Sequence, residues 1–296
     1  MLQLPITVTE VMEGLVEAFA KPENAVQERS TPRASGLSGC ARQQAYDMAG
    51  IKHATDWGRN EMAFTQEQGR IAEDLTIAGI EQSGTVRVVN RQIELPEGSG
   101  YTGHPDGELV FKFEDDHGVP WAQAWESTDA NGLNWGFEHK HLGQYKYQQI
   151  QKRGLLEGAP DYIIQTVAYG MALGWDACLV AITAQDASVI RREMTRNLNA
   201  KNPKVRWAEN LDPANANPKM ILFPLDLREL YPSMGKRIKL RADQLAIALG
   251  PELVGREGDP TADPPGFPCS YCGHFDQCLR DGGGGAPIMS VITEDR

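Results

Sequence analysis

Three cysteines near the C-terminus, Cys269, Cys272 and Cys278, follow the spacing C-x2-C-x5-C, and a fourth, Cys40, lies near the N-terminus. Thiolates held this close in a reducing compartment repel one another unless a cation sits between them, so the run reads as a metal-ligand set. The chain has five cysteines and no secretion signal, which argues against a disulfide framework. A four-coordinate soft-metal site needs one more ligand. Cys178 precedes the apolar run Leu179-Val180-Ala181-Ile182 and reads as a buried strand cysteine that packs like a small hydrophobe. Cys40 lies in the polar turn Leu37-Ser38-Gly39-Cys40-Ala41-Arg42 at the start of a helix and is the better partner. His274 offers an alternative fourth ligand, as in a zinc knuckle. Zinc and iron–sulfur clusters both accept four thiolates, and spacing alone does not choose between them. With Cys40 as ligand, the cluster staples the N-terminal region to the C-terminus.

That constraint needs a fold between the two ends. With 296 residues, 41% hydrophobic and 23% charged, the chain can bury a sizeable core. No run of 18 apolar residues occurs, so no membrane span is expected. Glu10 and Glu13 interrupt the first hydrophobic stretch, so Met1 to Ala20 does not read as a signal peptide, and the expected compartment is the cytoplasm. The formal charge of −11 excludes coating of DNA by charge alone. Between Ala187 and Arg241, however, twelve basic residues face five acidic ones, a local excess that suits nucleic acid. Arg191, Arg192, Arg196, Lys201, Lys204, Arg206, Lys236, Arg237, Lys239 and Arg241 carry most of it. They read equally well as a solvated face or as a path for phosphates.

Periodicity predicts helices over Val8–Ala20, Ala41–Ala49, Glu61–Ser83, Asp161–Gly174 and Leu227–Leu249. The long helix presents Met62, Phe64, Ile71, Leu75 and Ile80 as its apolar positions. Strands are expected over Thr85–Leu95, Tyr101–Phe113, Gly136–His141, Ala177–Ala184 and Ile221–Leu225. Lys21–Ser35 reads as a loop, Glu114–Gly118 as a turn, and the tail with Gly282 to Gly285 as flexible. Trp121, Trp125 and Trp135 either pack a hairpin or offer stacking surfaces for bases. The order of elements gives a mixed α/β core.

Three segments carry candidate chemistry. Gly103-His104-Pro105-Asp106-Gly107 places Asp106 between glycines that allow close approach. In Phe137-Glu138-His139-Lys140, Glu138 and Lys140 share one strand face, so a carboxylate for a hard cation sits beside an ammonium. Gly69-Arg70-Ile71-Ala72-Glu73 adds Glu73 on the long helix, and Gln165 and Tyr169 share a face of the next one. Each of these is weak alone, and each has a bland reading as a solvated or ion-paired position.

Their joint order resembles the PD-(D/E)XK nuclease superfamily. It is most similar to the RecB-like iron–sulfur exonucleases: the nuclease domain of AddB, the CRISPR-associated adaptation nucleases and their phage-encoded relatives. The likeness runs from Ser35 to Cys278 and includes the turn Ser38–Arg42 with Tyr46. It implies a restriction-endonuclease-like mixed sheet flanked by helices, with N- and C-terminal segments joined by an iron–sulfur cluster. The segments would be 1–60, helical with the first cysteine; 61–250, the nuclease core; 251–280, cluster-binding; and 281–296, the tail. It implies a [4Fe–4S] cluster on Cys40, Cys269, Cys272 and Cys278. It makes Asp106 and Glu138 ligands of Mg²⁺ or Mn²⁺, with the His139 carbonyl as another and Glu73 as a further ligand. Lys140 becomes the catalytic lysine, with Gln165 and Tyr169 supporting substrate and lysine. The implied activity is a DNA exonuclease of recombination, repair or phage replication. Its implied partners are DNA, single-stranded or with free ends, and a recombinase or another replication or recombination protein; a homo-oligomer is compatible. A non-catalytic iron–sulfur DNA-binding protein on the same fold is the alternative. The relatives usually carry histidine where this chain has Glu73, a feature closer to the lambda-exonuclease style.

Overall fold

The computed structural model describes residues 31–51, 59–112, 125–185, 220–247, 272 and 274–281. The helix expected over Val8–Ala20, most of the Lys21–Ser35 loop, the Glu114–Gly118 turn, Trp121, Cys269, the basic residues from Arg191 to Arg206 and the glycine tail lie outside them. The chain divides into two compact units. One takes Met1–Pro32, Gly39–Ile71 and Asp243–Ile288; the other takes Arg33–Ser38, Ala72–Ala242 and Met289–Arg296.

Among the described residues, the second unit has five strands: β1 (Val86–Val89), β2 (Gly107–Phe111), β3 (Trp135–Leu142), β4 (Ala177–Ala184) and β5 (Met220–Asp226). They lie in the order β1-β2-β3-β4-β5, with β3 and β4 parallel and the other pairs antiparallel. The sheet is therefore mixed, and helices flank it. A parallel pair needs a crossover, supplied here by two helices, α3 (Gln144–Gly158) and α4 (Pro160–Leu173). Pro224 is tolerated in β5 because that strand is an edge of the sheet among the described residues.

One face of the sheet packs Val88, Leu109, Phe137 and Ala181 against Ile77 of α2 (Arg59–Glu81). The burial of α2 departs from its expected apolar stripe. Leu75 is 70% exposed and Ile71 49%, whereas Glu73 is 8% exposed and Thr76 and Ile77 are buried. Ile80 does pack against the core. Cys178 lies on β4, fully buried, as its sequence context predicts.

Four elements differ from the periodicity reading. β1 stops at Val89 rather than Leu95, because Asn90 and Gln92 adopt left-handed backbone angles that no strand can continue. β2 occupies only Gly107–Phe111 of the expected Tyr101–Phe113 stretch, so Asp106 precedes the strand instead of riding on it. α3 was not apparent in the sequence. Only Tyr147, Ile150 and Leu155 are buried, and Gly154, at φ 76°, breaks the helix between the last two and so interrupts the repeat. The helix expected over Leu227–Leu249 is instead α5 (Leu227–Leu230), a π turn (Tyr231–Gly235) and α6 (Lys236–Ile247). Pro232 has no amide hydrogen to donate, so the regular ladder reorganises there.

The first unit contains α1 (Ala41–Met48) and α7 (Phe275–Arg280). The Tyr46 hydroxyl donates to Asp281 at 2.6 Å, Asp47 and His274 Nε2 lie 2.9 Å apart, and the Tyr46 and His274 rings are 5.1 Å apart. Segments from near the two ends of the chain thus meet through described side chains. No described helix is long and apolar enough to cross a membrane.

Gly136 separates two expectations about glycine. A methyl group there would overlap the Trp175 ring, whereas one on Gly79 meets nothing within 4 Å. Gly136→Ala should lower stability by about 1–3 kcal/mol through overpacking. Gly79→Ala should raise it by about 0.5–1 kcal/mol by favouring the helix. Urea unfolding midpoints of the two variants check this; a neutral Gly136→Ala would mean that the Trp175 packing is wrong.

Candidate active site

The β2–β3 ladder ends at the Gly107↔Phe137 pair. Two residues further along β3, the His139 amide has no strand partner on that side. The Asp106 carboxylate takes its place and accepts from His139 N at 2.7 Å through Oδ2. Its other oxygen accepts from Gln92 Nε2 at 3.0 Å. Asp106 is therefore held by neutral donors only, next to the strand that carries Glu138.

Glu138 is 1% exposed, and its Oε1 is ion-paired with Lys140 Nζ, as the shared strand face predicts. Its Oε2 is buried with no hydrogen-bond partner. Burial, reinforced by the charge of Asp106, outweighs Lys140 and pushes the Glu138 carboxyl up to about 8. Burial opposes the Lys140 ammonium, but Glu138 and Asp106 outweigh it and hold its pKa above the ordinary lysine value. Lys140 loses its proton only after Glu138 has lost its own, so the ammonium persists.

Gln165 and Tyr169 are both buried on α4, and Gln165 Nε2 donates to the Tyr169 hydroxyl at 2.9 Å. Burial and then the Glu138 charge raise Tyr169 to about 12, so it stays a neutral phenol beside the carboxylates. The glycines around Asp106 serve packing rather than ligand access. A Cβ on Gly103 would lie 2.6 Å from the Tyr169 ring, and one on Gly107 would lie 2.6 Å from Val88.

Glu73 is not a solvated helix position. Arg91 Nη2 donates to it at 2.7 Å and to Asp74 at 2.7 Å. Burial and the nearby Asp106 charge raise its pKa against the pull of Arg91. The structure thus brings Glu73, Asp106, Glu138, Lys140, Gln165 and Tyr169 into one electrostatic neighbourhood. Among the described residues, no three His, Cys, Asp or Glu side chains form a ready-made metal-holding group. The carboxylates are occupied by Arg91, by neutral donors and by Lys140. The orphaned Glu138 Oε2 is the feature that suits a divalent cation, since an unpartnered buried carboxylate oxygen is costly.

Arg91, Gln92 and Tyr162 were not legible in the sequence. Tyr162 places its ring 5.7 Å from Lys140 Nζ and 5.4 Å from Lys146 Nζ. Arg91 and Gln92 sit in an irregular turn with no periodicity to mark them. His139 points its ring to the other face, where Nε2 lies 3.0 Å from Thr183 Oγ1, and burial pulls its pKa down to about 4.

Cys40 stands at the N-terminus of α1, where its carbonyl accepts from Gln44 N at 3.1 Å. Cys40 and Cys272 are half-buried, Cys278 is buried, and none of the three is in a disulfide; Cys269 lies outside the described residues. Lys236 and Lys239 are exposed, but Arg241 is 1% exposed and belongs to neither a solvated face nor a phosphate path. Trp125 lies under the Arg87 guanidinium at 4.3 Å, and the Trp135 indole donates to Asp129 at 3.0 Å. Phe111 and Glu126 exchange two backbone hydrogen bonds of 2.8 Å, which fits the hairpin reading of this insertion.

No protein-family model and no curated protein matches this chain. Among solved structures it is similar to the crystal structure of SSO0001, at 12% identity and a TM-score of 0.44, over 92% of this chain and 97% of that one. A likeness this distant says nothing of what the protein does.

The two buried groups on β3 act on stability with opposite signs. His139 has a folded value of about 4 against an ordinary 6.5, so the unfolded chain binds more protons between them and stability rises with pH there. Glu138 has a folded value of about 8 against 4.5, so the folded chain binds more protons between them and stability falls as pH rises. Above pH 6.5 only the falling limb remains from this pair. In EDTA, urea unfolding should show a loss on the order of 2 kcal/mol between pH 6.5 and 8.5. Glu138→Gln should flatten that slope even if it lowers the overall stability; an unchanged slope would place the titration elsewhere.

Proposed function

We propose that this protein is a divalent-metal-dependent deoxyribonuclease that hydrolyses phosphodiester bonds, acting as an exonuclease at DNA ends. The observation that carries this reading is the buried, unpartnered Glu138 Oε2 beside Asp106, with Lys140 ion-paired to the same carboxylate. A binding module has no need to maintain such a trio at the cost of burying it. Asp106, Glu138 and the His139 carbonyl would hold Mg²⁺ or Mn²⁺, with Glu73 as a further carboxylate. The cation, when bound, supplies Lewis acidity toward a phosphoryl oxygen. Lys140 keeps its proton and offsets negative charge that develops on the phosphate as water attacks. Tyr169, a neutral hydrogen-bond donor held by Gln165, supports the lysine and a phosphate oxygen.

A [4Fe–4S] cluster on Cys40, Cys269, Cys272 and Cys278 belongs to the same reading. Three of these thiols lie in one compact unit with the contacts between α1 and the α7 region, and none is in a disulfide. DNA is the proposed substrate, and a recombination or replication protein the proposed partner. The alternative is an iron–sulfur DNA-binding protein without catalysis; Lys140 beside buried Glu138 favours the enzyme.

End-labelled single- and double-stranded DNA, with Mg²⁺ or Mn²⁺, tests the activity. Lys140→Ala should lower the cleavage rate on the order of 10²-fold or more while DNA binding and iron content persist. Near-normal cleavage would remove Lys140 from catalysis. The cluster has its own readout in visible absorbance. Anaerobically purified protein should be brown, Cys40→Ala should lose the colour, and Cys178→Ala should keep it. Colour lost with Cys178 and kept without Cys40 would reverse the ligand assignment.

A further inference from the structure

The turn after β1 grips two of the three site carboxylates at once. Arg91 ion-pairs with Glu73, and the adjacent Gln92 donates to Asp106. The turn is held in an unfavourable shape to do so. Asn90 has φ 50° and Gln92 φ 55°, left-handed angles that a side-chain-bearing residue such as glutamine rarely adopts. Two further contacts secure it: Asn90 Nδ2 donates to Glu108 at 2.7 Å, and Gln92 N to the Pro105 carbonyl at 3.1 Å. Strain kept in place by surrounding contacts is typical of positioning elements.

The charges around Asp106 follow a pattern. Glu138 carries Lys140, and Glu73 shares Arg91 with the exposed Asp74, while Asp106 has only neutral donors. Resting on the divalent site proposed above, we infer that Arg91 is a positioning residue that withholds Glu73 from the cation, so that the resting site binds through Asp106 and Glu138. The guanidinium and a divalent ion compete for one carboxylate. Arg91 is 40% exposed along its side chain, so it can leave Glu73 without a buried void opening. Arg91 thereby sets how tightly the site takes metal. Three bare carboxylates would hold the ion more firmly and repel the DNA phosphate more strongly.

Direct Mn²⁺ binding to the full-length protein, followed by electron paramagnetic resonance of the free ion, tests this without reference to cleavage. Arg91→Ala should tighten Mn²⁺ binding by about tenfold, and Arg91→Lys, which keeps the charge, should stay close to wild type. Glu73→Gln should change affinity less than about threefold with Arg91 present, but weaken it about tenfold in the Arg91→Ala background. The Glu73→Gln measurement in the Arg91-containing protein stands even if Arg91→Ala does not fold. A tenfold loss there would make Glu73 a full ligand at rest and overturn the inference. Unchanged or weaker binding in a folded Arg91→Ala variant would overturn it too, while the divalent site survives. Wild-type protein that binds no Mn²⁺ would overturn both.

Discussion

The hydrogen bond from the His139 amide to Asp106 is the joint on which the candidate site depends. β2 pairs with β3 as far as Gly107↔Phe137 and then leaves it. A buried amide left open at that fork would cost roughly 1–3 kcal/mol. Asp106 satisfies it with its side chain, at 2.7 Å, and so is fixed beside the strand that presents Glu138 and Lys140. The requirement to satisfy backbone polarity thus places one of the acidic groups. It also explains why Asp106 sits just before β2 instead of within it, since a strand residue would send its side chain to a face and not along the ladder.

Electrostatics then sort the groups that this joint collects. Arg91 is shared by Glu73 and Asp74 and Lys140 lies on Glu138, so Asp106 is the carboxylate of the site with no cationic hydrogen-bond partner. Burial raises Glu138 and Glu73, and each is restrained by a cation on its outer side. Arrangements in which burial and like charge oppose specific counter-ions are found where a protein binds or transforms something charged, though structural ion pairs also produce them. Here the unpartnered Glu138 Oε2 distinguishes the site from a self-sufficient ion pair, because a purely structural pair would satisfy both oxygens.

The cysteine unit follows a parallel logic. Tyr46 with Asp281, and Asp47 with His274, join α1 to the region of α7 by polar contacts among described residues. Burial and then the Asp281 hydrogen bond raise the Tyr46 pKa, so the hydroxyl remains a donor across the ordinary pH range. These contacts keep Cys40, Cys272 and Cys278 within one compact unit. Any cluster on those thiols would reinforce an association that side chains already make.

Much of this was open to reading in the sequence. Strand periodicity gave β3 and β4 nearly to the residue and put Glu138 and Lys140 on one face, because alternation on a strand is a local property. The i, i+4 relation of Gln165 and Tyr169 was local in the same way. The buried nature of Cys178 followed from its apolar neighbours in the chain. What the sequence left open depends on non-local contacts. The burial of Glu73 and exposure of Leu75 on one helix are set by which face meets the sheet, and apolar spacing placed Ile80 correctly but not Ile71 and Leu75. Arg91 and Gln92 lie in a turn whose left-handed backbone angles leave no periodic trace, and they matter only because Glu73 and Asp106 are folded against them. Glycines that seemed to make room for a ligand make room for Tyr169 and Val88. Residue type and spacing determined the chemistry available to this protein; only tertiary packing, by deciding which charges share a low-dielectric site, decided which of those groups act together.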